Sequence, residues 1–385
     1  MAEESGRSPP SSSGSKSFSS PMRKSLLHYL TDAVSGESFS LRSFAEEGDH
    51  VTSGILQTKR SWYPIAGGVP RILVGELRKN MLREHMTFFR KFRSRLPREV
   101  VVDWENEIAT IPNLDAFREH QRKTAESFSF EWRHIYRENP FEEQNFLHFL
   151  SPFIDKKDFP HKAIVDVGCG SGRFTKQAAR FGAQAVIGVD LSESVDVAYE
   201  LTKDLPNAHI VQADVYALPI RQSADLAFSI GVLHHLPDPE KGFASMIGTI
   251  KSHGRALIWV YNRRGNARAI YIYEPLRAIA RGIPKPILFR LVYLPAALVH
   301  LLNLLTVALQ RVGFSRLAKR IPFSYYAHFP FNMKLNDAFD VLSTPKSNYY
   351  YKEEVEGWFR RSGLKNVKSY EHPEAGITCI GTYGG

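Results

Sequence analysis

Short, strongly apolar runs recur along the middle of the chain and are separated by segments with helical spacing. The run AIVDV, Ala163–Val167, is rich in β-branched residues and is followed by GRFTKQAARFGA, whose apolar positions have a helical period. A second apolar run, AVIGVDLS, covers 185–192. Fully apolar strands that alternate with helices are typical of a parallel sheet covered on both faces. The pattern therefore predicts an α/β domain with a doubly wound sheet.

The turn after the first strand carries three glycines at alternate positions, Gly168, Gly170 and Gly172, preceded by Asp166. Residues without side chains let a ligand approach the main chain closely, and a carboxylate can accept a hydrogen bond from an ammonium group. A dinucleotide fingerprint needs a further glycine where this chain has Arg173, so a pyrophosphate ligand is disfavoured. A compact ligand made of adenosyl and methionine parts, S-adenosylmethionine (SAM), fits the pattern better.

The second predicted strand ends at Asp190, twenty residues after Gly170. An acidic residue at this place in a nucleotide-binding βαβ unit binds the ribose hydroxyls. Three further motifs follow in order: IVQADVYALPI around Asp214, ADLAFSIGVLHHLPDPEKGFASM, and GRALIWVYN. Together with the glycine loop, they make the chain from 163 to 262 resemble the class I SAM-dependent methyltransferases.

The resemblance implies a Rossmann-like sheet of seven strands with a terminal antiparallel strand, to which this chain adds an N-terminal extension and a helical lid insertion. KNVKSYE and ITCIGTY fit the last two strands, joined as a hairpin by HPEAG. SAM is the implied cofactor, and Asp214 is the residue that would accept a hydrogen bond from the adenine amino group. The implied cofactor-binding residues are Asp166, Gly168, Gly170, Gly172, Asp190, Asp214 and Ser229.

Two histidines follow the fourth predicted strand, where the crevice of such a sheet opens. Because imidazole titrates near neutral pH, His234 and His235 are candidate general bases for removal of the acceptor's proton. Tyr261, after the fifth strand, is the third candidate catalytic residue. Two alternatives stay open: one histidine could instead orient its loop, and the three tyrosines at 349–351 could line an acceptor pocket or merely seat the helix that ends near Gly363.

Three segments precede this region. The Ser- and Pro-rich start predicts a flexible tail over 1–40. Residues 41–80, with YPI…GVPR, are similar to the small zinc-ribbon-like segment that precedes such domains, but the cysteine pairs are missing and no metal site is predicted. Residues 81–160 are predicted to be helical and to cover the cofactor site. Three aromatic residues in SFSFEWRHI either fold over the cofactor or pack in the core: Phe128, Phe130 and Trp132.

The largest departure from a minimal methyltransferase is a basic and apolar insertion at 263–340, before the C-terminal part at 341–385. Its segment 263–334 carries twelve Lys and Arg residues and a single acid, Glu274, so its net charge of +11 exceeds the +10 of the whole chain. Within it, 291–309 is nineteen residues without a formal charge. This length suits a membrane span, but a span would separate the C-terminal strands from their sheet.

Several roles remain for the insertion. It could be a lid whose apolar face packs on the domain, or a lid that also binds an amphipathic substrate or rests peripherally on an anionic membrane. Nucleic acid is not expected as a partner, because a long apolar run does not suit contacts along a phosphate backbone. The oligomeric state is left open.

Only two cysteines are present, which fits a reducing, cytoplasmic setting. The family's N/D-P-P-Y/F motif for amino-group methylation of bases or protein glutamine is absent, since that place has SIGVLHHLP. A small-molecule or lipid-like acceptor methylated on oxygen, carbon or sulfur is therefore the leading hypothesis. The alternatives are a SAM-binding regulatory or scaffolding protein without methyl transfer, and a methyltransferase of macromolecules.

Overall fold

The computed structural model describes residues 22–48, 50–136, 138, 140–267, 269–280, 282–344, 347–373 and 376–384. The N-terminal part begins with strands that pair antiparallel. They are β1 (Met22–Arg23), β2 (Ser40–Glu47), β3 (His50–Gln57), β4 (Trp62–Ala66) and β5 (Val69–Ile72). β4 and β5 form a hairpin across the YPI…GVPR sequence, with Ile65 opposite Pro70.

Helices fill the sequence between these strands and the central sheet. They are α1 (Gly75–Glu84), α2 (Met86–Phe92), α3 (Arg98–Ala109), α4 (Ala116–His134) and α5 (Glu142–Leu150). α4 is the longest of them, and its first turn is capped by Asp115, whose carboxylate accepts a hydrogen bond from the main-chain N–H of Arg118 at 2.7 Å. Such a cap satisfies a donor that the helix itself leaves without a partner.

The central sheet confirms the predicted seven-stranded Rossmann-like fold. Its strands are β6 (Ala163–Val167), β7 (Ala185–Asp190), β8 (Ala208–Ala213), β9 (Ala224–Ile230), β10 (Ile250–Tyr261), β11 (Leu364–Glu371) and β12 (Gly376–Tyr383). Their order is β8-β7-β6-β9-β10-β12-β11. The first five are parallel to one another, and β12 lies antiparallel between β10 and β11. The loop predicted between β11 and β12 is described only in part.

The remaining helices pack beside this sheet or form the insertion. Those of the central domain are α6 (Arg173–Arg180), α7 (Ser194–Thr202) and α8 (Pro239–Ile247). The insertion contains a π-helical turn at Ala269–Tyr273 and then α9 (Glu274–Ala280), α10 (Lys285–Leu291), α11 (Tyr293–Arg311), α12 (Ser315–Ala318) and α13 (Phe331–Ser343). The last helix is α14 (Lys352–Arg361), after which Gly363 with φ +77° breaks the helix as predicted.

The N-terminal strands extend the central sheet. β5 runs parallel to β8, with Ile72 opposite Ala213. The prediction of a flexible tail over 1–40 is wrong for 22–40, because Leu26 and Leu30 are buried in the main apolar core of the domain. The Ser- and Pro-rich composition ends before these leucines, whose burial offsets the entropy lost on ordering. Residues 1–21 lie outside the described residues.

The insertion packs differently from the expected lid. One of the roles left open by the sequence is a lid whose apolar face packs on the domain, but the buried residues of α11 are Ala296, Asn303 and Thr306. The stretch Lys285–Arg311 is long and apolar enough to cross a membrane, although only about a fifth of its most apolar window is buried. The strands on either side of it, β10 and β12, pair directly with each other. A membrane crossing by this one helix would separate them.

Parallel strands bring their carboxyl ends to one edge of a sheet, which is where this fold binds ligands. The glycine loop follows β6, Asp190 ends β7, and Asp214 follows β8. Gly231 follows β9, and Tyr261 ends β10. The sheet order therefore assembles residues that are far apart in the sequence along one crevice.

Candidate functional site

A cavity of about 270 Å³ lies at this edge of the sheet, and the glycine loop forms part of its wall. Gly168 and Gly170 line it with positive φ angles of +80° and +54°. A Cβ atom at Gly168 would lie 2.4 Å from the side chain of Val232, and one at Gly170 would lie 2.9 Å from Nε1 of Trp132. Both neighbours line the same cavity, so the two glycines keep its wall as bare main chain.

Asp190 ties this loop to the next strand. One carboxylate oxygen accepts a hydrogen bond from the main-chain N–H of Gly170 at 3.0 Å. The other accepts from the N–H and the hydroxyl of Ser192, at 2.8 and 2.7 Å. Burial raises the pKa of Asp190, although the hydrogen bonds oppose this effect. The carboxylate is therefore held in a fixed position in the cavity wall, as recognition of ribose hydroxyls requires.

Asp214 is also in the wall, and α4 reaches across to it. Its carboxylate accepts a hydrogen bond from Nε2 of Gln121 at 2.9 Å and from the N–H of Tyr216 at 3.1 Å, and it forms an ion pair with Arg118. Arg118 and Gln121 had no signal in the sequence, because α4 precedes the glycine loop and its position depends on the tertiary fold. The end of β8 is thus closed by polar side chains from α4.

Two of the three aromatic residues singled out in α4 line the cavity, and the third packs away from it. Phe128 and Trp132 line the cavity. Phe130 faces the insertion instead, with its ring centroid 5.4 Å from that of Phe339 and 6.2 Å from that of Phe289. α4 therefore covers the cavity with one face and packs against the insertion with another.

Three of the predicted cofactor residues, Asp166, Gly172 and Ser229, do not line this cavity. Asp166 accepts a hydrogen bond from the hydroxyl of Thr175 at 2.6 Å, and burial raises its pKa to about 7. The hydroxyl of Ser229 donates to the carbonyl oxygen of Val167 at 2.8 Å. Successive side chains of a strand point to opposite faces. Val167 and Ile230 line the cavity, so their neighbours Asp166 and Ser229 point away from it.

Gly172 is the third of these residues, and its role is helix packing. Its φ of +78° lies in the left-handed region, and a Cβ atom here would lie 2.8 Å from Cβ and 2.9 Å from Cα of Ala198 in α7. The glycine therefore allows α6 to begin close against α7. It fits the general use of glycine where two segments of main chain approach closely.

The two histidines occupy different environments. His235 lines the cavity, and its Nδ1 lies 3.3 Å from the hydroxyl oxygen of Ser347. His234 is fully buried and is not part of the wall, and neither ring nitrogen has a hydrogen-bond partner within the described part of the chain. Burial lowers the pKa of His234 well below its ordinary value, and His235 and Arg277 add to this effect. The predicted catalytic role of His234 therefore finds no support in its surroundings, because the imidazole is enclosed and lies outside the cavity wall.

Tyr261 lines the cavity beside these histidines. Burial, with a contribution from Asp340, raises the pKa of its phenol well above the ordinary value. The hydroxyl therefore stays protonated and is suited to donate a hydrogen bond. The ring of Tyr349 stacks on the ring of Tyr261, with their centroids 5.6 Å apart. The adjacent Tyr350 joins β10 through a bridge to Asn262, so the tyrosine run seats the segment before α14.

A group of carboxyl side chains that the sequence did not reveal also lines the cavity: Glu131, Asp337 and Asp340. Glu131, from α4, accepts a hydrogen bond from Nδ2 of Asn336 at 2.7 Å, and burial raises its pKa well above the ordinary value. Asp337, from α13, accepts from the hydroxyl of Tyr326, and burial raises its pKa to about 6. This part of the cavity therefore holds two carboxyl groups whose pKa values are raised by burial, that of Asp337 to about 6.

Known proteins resemble this chain mainly around the central sheet. Residues 165–258 match a family model described as a methyltransferase domain. The ubiquinone biosynthesis O-methyltransferase of Coxiella burnetii (strain RSA 331 / Henzerling II) is 31% identical over 143 residues, which are 35% of this chain and 59% of that protein. The tRNA U34 carboxymethyltransferase of Vibrio atlanticus is 25% identical over 230 residues, 52% of this chain and 71% of that protein.

The matched lengths limit what these relatives imply. The chain spans 39% to 61% of the length of the first three curated relatives that it matches. Among solved structures, a magnesium protoporphyrin IX methyltransferase from Synechocystis with bound SAM has 12% identity and a TM-score of 0.41, and the match covers 71% of this chain and all of that one.

Proposed function

Residues 165–258 form a class I SAM-dependent methyltransferase domain, and from this premise we propose that the chain transfers a methyl group from SAM to a small-molecule or amphipathic acceptor. One observation carries the proposal. The same cavity is lined by the glycine loop, Asp190 and Asp214 from β6 to β8, and by Tyr261 and Asp337 from β10 and α13. A single cavity thus has cofactor-type residues along one half of the sheet edge and acid–base groups along the other.

The residues of the first half fit SAM. The bare main chain at Gly168 and Gly170 leaves room for a ligand, and the half-buried Asp190 and the buried Asp214 are carboxylates suited to hydroxyl and amino groups. Phe128 and Trp132 would cover it from α4. When bound, SAM supplies an electrophilic methyl group on its sulfonium. The protein's part is to hold the acceptor in line with that group and to exclude water.

The acceptor's proton, where it has one to lose, would go to Asp337. Its carboxylate is in the wall, and a pKa of about 6 leaves it mostly ionised at neutral pH. Tyr261 would donate a hydrogen bond to the acceptor, and Glu131 lies in the same cavity wall. His235 remains at the wall as a positioning group, whereas His234 is enclosed behind it. Buried Cys169 and Cys379 are free thiols, which agrees with a cytoplasmic setting.

A macromolecular acceptor is the second candidate, because some of the matched relatives act on tRNA by their names. The net charge of +10 would favour binding to a polyanion. Against it, the basic residues of the insertion lie among exposed leucines rather than in a continuous polar groove. A small or lipid-like acceptor suits the size of the cavity better.

The experiment is methyl transfer from methyl-labelled SAM to two pools, a lipid and quinone extract and total tRNA. We expect label in a compound of the extract and none in tRNA. The Asp190→Asn variant should lose transfer, and the matched variant Asp204→Asn, at an exposed position away from the cavity, should keep it. Label in tRNA alone would replace the small-molecule proposal with the second candidate. No label in either pool, with SAM still bound, would favour a SAM-binding module.

A further inference from the structure

The longest helix of the insertion, α11, presents apolar side chains to solvent and polar side chains to the protein, which reverses the usual arrangement of a surface helix. Its polar side chains face the protein: Nδ2 of Asn303 donates to the carbonyl oxygen of Phe323 at 2.8 Å, and Nδ1 of His300 lies 3.2 Å from Nζ of Lys334. These contacts fix how α11 is rotated about its axis. Amphipathic helices on protein surfaces have the opposite arrangement, with polar residues toward solvent.

The outward face of α11 is a continuous stripe of leucines. Leu294, Leu298, Leu301 and Leu305 are 75%, 60%, 62% and 51% exposed, and they recur at intervals of three and four residues. Fifteen of the twenty large apolar side chains that are exposed in the described part of the chain lie between Tyr271 and Leu317. An exposed apolar area this concentrated marks an interaction surface. We call the exposed apolar and basic residues between 271 and 320 the outer face.

The charge of the outer face is uniformly positive. Five of its cations are exposed and have no ion pair with any described residue: Arg290, Arg311, Arg316, Lys319 and Arg320. The one acid of 263–334, Glu274, is paired with Arg277. Arg290 lies just before α11 and Arg311 is its last residue, so exposed cations stand at both ends of the helix that carries the leucines. Leucines flanked by arginines are the pattern of a helix that lies flat in a membrane interface.

From these observations we propose that the outer face docks on the surface of an anionic bilayer, with the leucines of α11 in the acyl boundary and the arginines at the headgroups. A second copy of this chain fits less well. A symmetric pair would bring the unpaired arginines of one copy toward those of the other, where like charges repel. An anionic lipid surface instead complements both the apolar stripe and the charge.

The helix that would dock, α11, also contacts an element of the cavity wall. α11 packs against α13, and α13 places Asp337 and Asp340 in the cavity wall. Docking would therefore hold the acid–base side of the cavity next to the bilayer. This last step rests on the proposed function, and it assigns the acceptor to the class of membrane-held, lipid-like molecules. The docking itself does not depend on methyl transfer.

Vesicle flotation of the full chain tests the docking. We expect binding to vesicles of phosphatidylcholine mixed with phosphatidylglycerol, weaker binding to phosphatidylcholine alone, and a decrease as salt is raised. The double variant Arg311→Gln/Arg316→Gln should weaken binding to the anionic vesicles by about 30-fold, since each cation near such a surface contributes a roughly fivefold effect. The double variant Leu298→Gln/Leu301→Gln should abolish partition.

The matched control is Ile111→Gln, which removes an exposed apolar side chain outside the outer face. It should bind vesicles like the parent chain. Absence of binding to either vesicle, or unchanged binding of both double variants, would overturn the proposal. So would a dimer in sedimentation that the leucine variants dissociate. SAM binding, measured by calorimetry on the same samples, separates these failures from a failure of the proposed function, because no residue of the outer face lines the cavity that contains Asp190.

Discussion

The rings of His234 and Tyr261 lie with their centroids 3.9 Å apart, yet only Tyr261 borders the cavity. The imidazole fills the space behind the phenol ring and has no polar partner among the described residues. The imidazole of His234 therefore packs behind the cavity wall and supports the ring of Tyr261. This arrangement separates two adjacent histidines that the sequence presents as equivalent.

The first prediction concerns this pair. His234→Phe keeps an aromatic ring behind Tyr261, so we expect kcat to change by less than about threefold and its dependence on pH to stay the same. His235→Phe, which alters the wall itself, should change KM. Steady-state kinetics over a range of pH checks both variants. Loss of turnover in His234→Phe with the parent's KM and stability would restore His234 as the proton acceptor.

The second prediction concerns Asp337. If this carboxylate accepts the proton, kcat/KM should fall on the acid side with a midpoint near pH 6, because its pKa is raised to about 6 and only the ionised form is active. Asp337→Asn should lower kcat by about 100-fold or more and remove this limb. An acceptor that has no proton to lose would leave the rate of the variant nearly unchanged.

Tyr326 supplies the matched test of that assignment. Its hydroxyl donates to Asp337 and lowers the carboxyl pKa. Tyr326→Phe removes a donor that stabilises the ionised form, so the pKa rises and the acid limb moves to higher pH. If the acid-side fall of kcat/KM keeps the same midpoint in Tyr326→Phe, the group that titrates there is not Asp337.

The sequence predicts best those residues whose positions follow from a short stretch of adjacent sequence. Gly168, Gly170 and Asp190 belong to a strand–loop–helix–strand unit whose geometry follows from adjacent sequence, and the structure brings them to one wall. Asp166 and Ser229 were predicted to line the site because they belong to the same motifs. The alternation of side chains along a strand turns both away.

The residues missed by the sequence come from elements that only the tertiary fold brings together. Glu131 and Asn336 are hydrogen-bonded although 205 positions separate them in the chain. The aromatic residues of α4 indicated a cover over the cofactor, but nothing in the sequence indicated that Glu131 of α4 or Asn336 of α13 would line the cavity. The apolar run of α11 is apparent from the sequence, but the length of the run does not determine which face of the helix is buried. The contacts of Asn303 and His300 decide that rotation, and they involve Phe323 and Lys334 from later in the insertion.

The third prediction separates packing from binding in the glycine loop. Gly172→Ala should destabilise the protein by about 2–4 kcal/mol, because the new Cβ adds both left-handed strain and overlap with Ala198. The control is Gly36→Ala, where φ is also positive but nothing lies within 4 Å of the new Cβ. It should cost about 1–2 kcal/mol. Urea unfolding measures both, and equal losses would show that contact with α7 is not what requires glycine.

The fourth prediction is a dependence of stability on pH that arises from His234. Its pKa is lowered in the folded state, so below its ordinary pKa the unfolded chain binds more protons than the folded chain. The contribution of this residue to stability is therefore constant at higher pH and falls as the pH drops below about 6.5. His234→Phe removes the effect and should gain about 1 kcal/mol relative to the parent chain between about pH 7.5 and about pH 5.5.

The difference between parent and variant is the quantity to measure, because other buried groups titrate in the same range. Burial lowers the pKa of His85 and of His209 to about 4, so both also destabilise the fold on acidification. Asp166 and Asp337 have raised pKa values of about 7 and about 6 and act in the opposite sense, since their protonation favours the folded state. Urea unfolding of both chains at the two pH values isolates His234. An identical pH dependence in the two would mean that the imidazole is solvated, and it would return His234 to the set of groups able to exchange protons with the cavity.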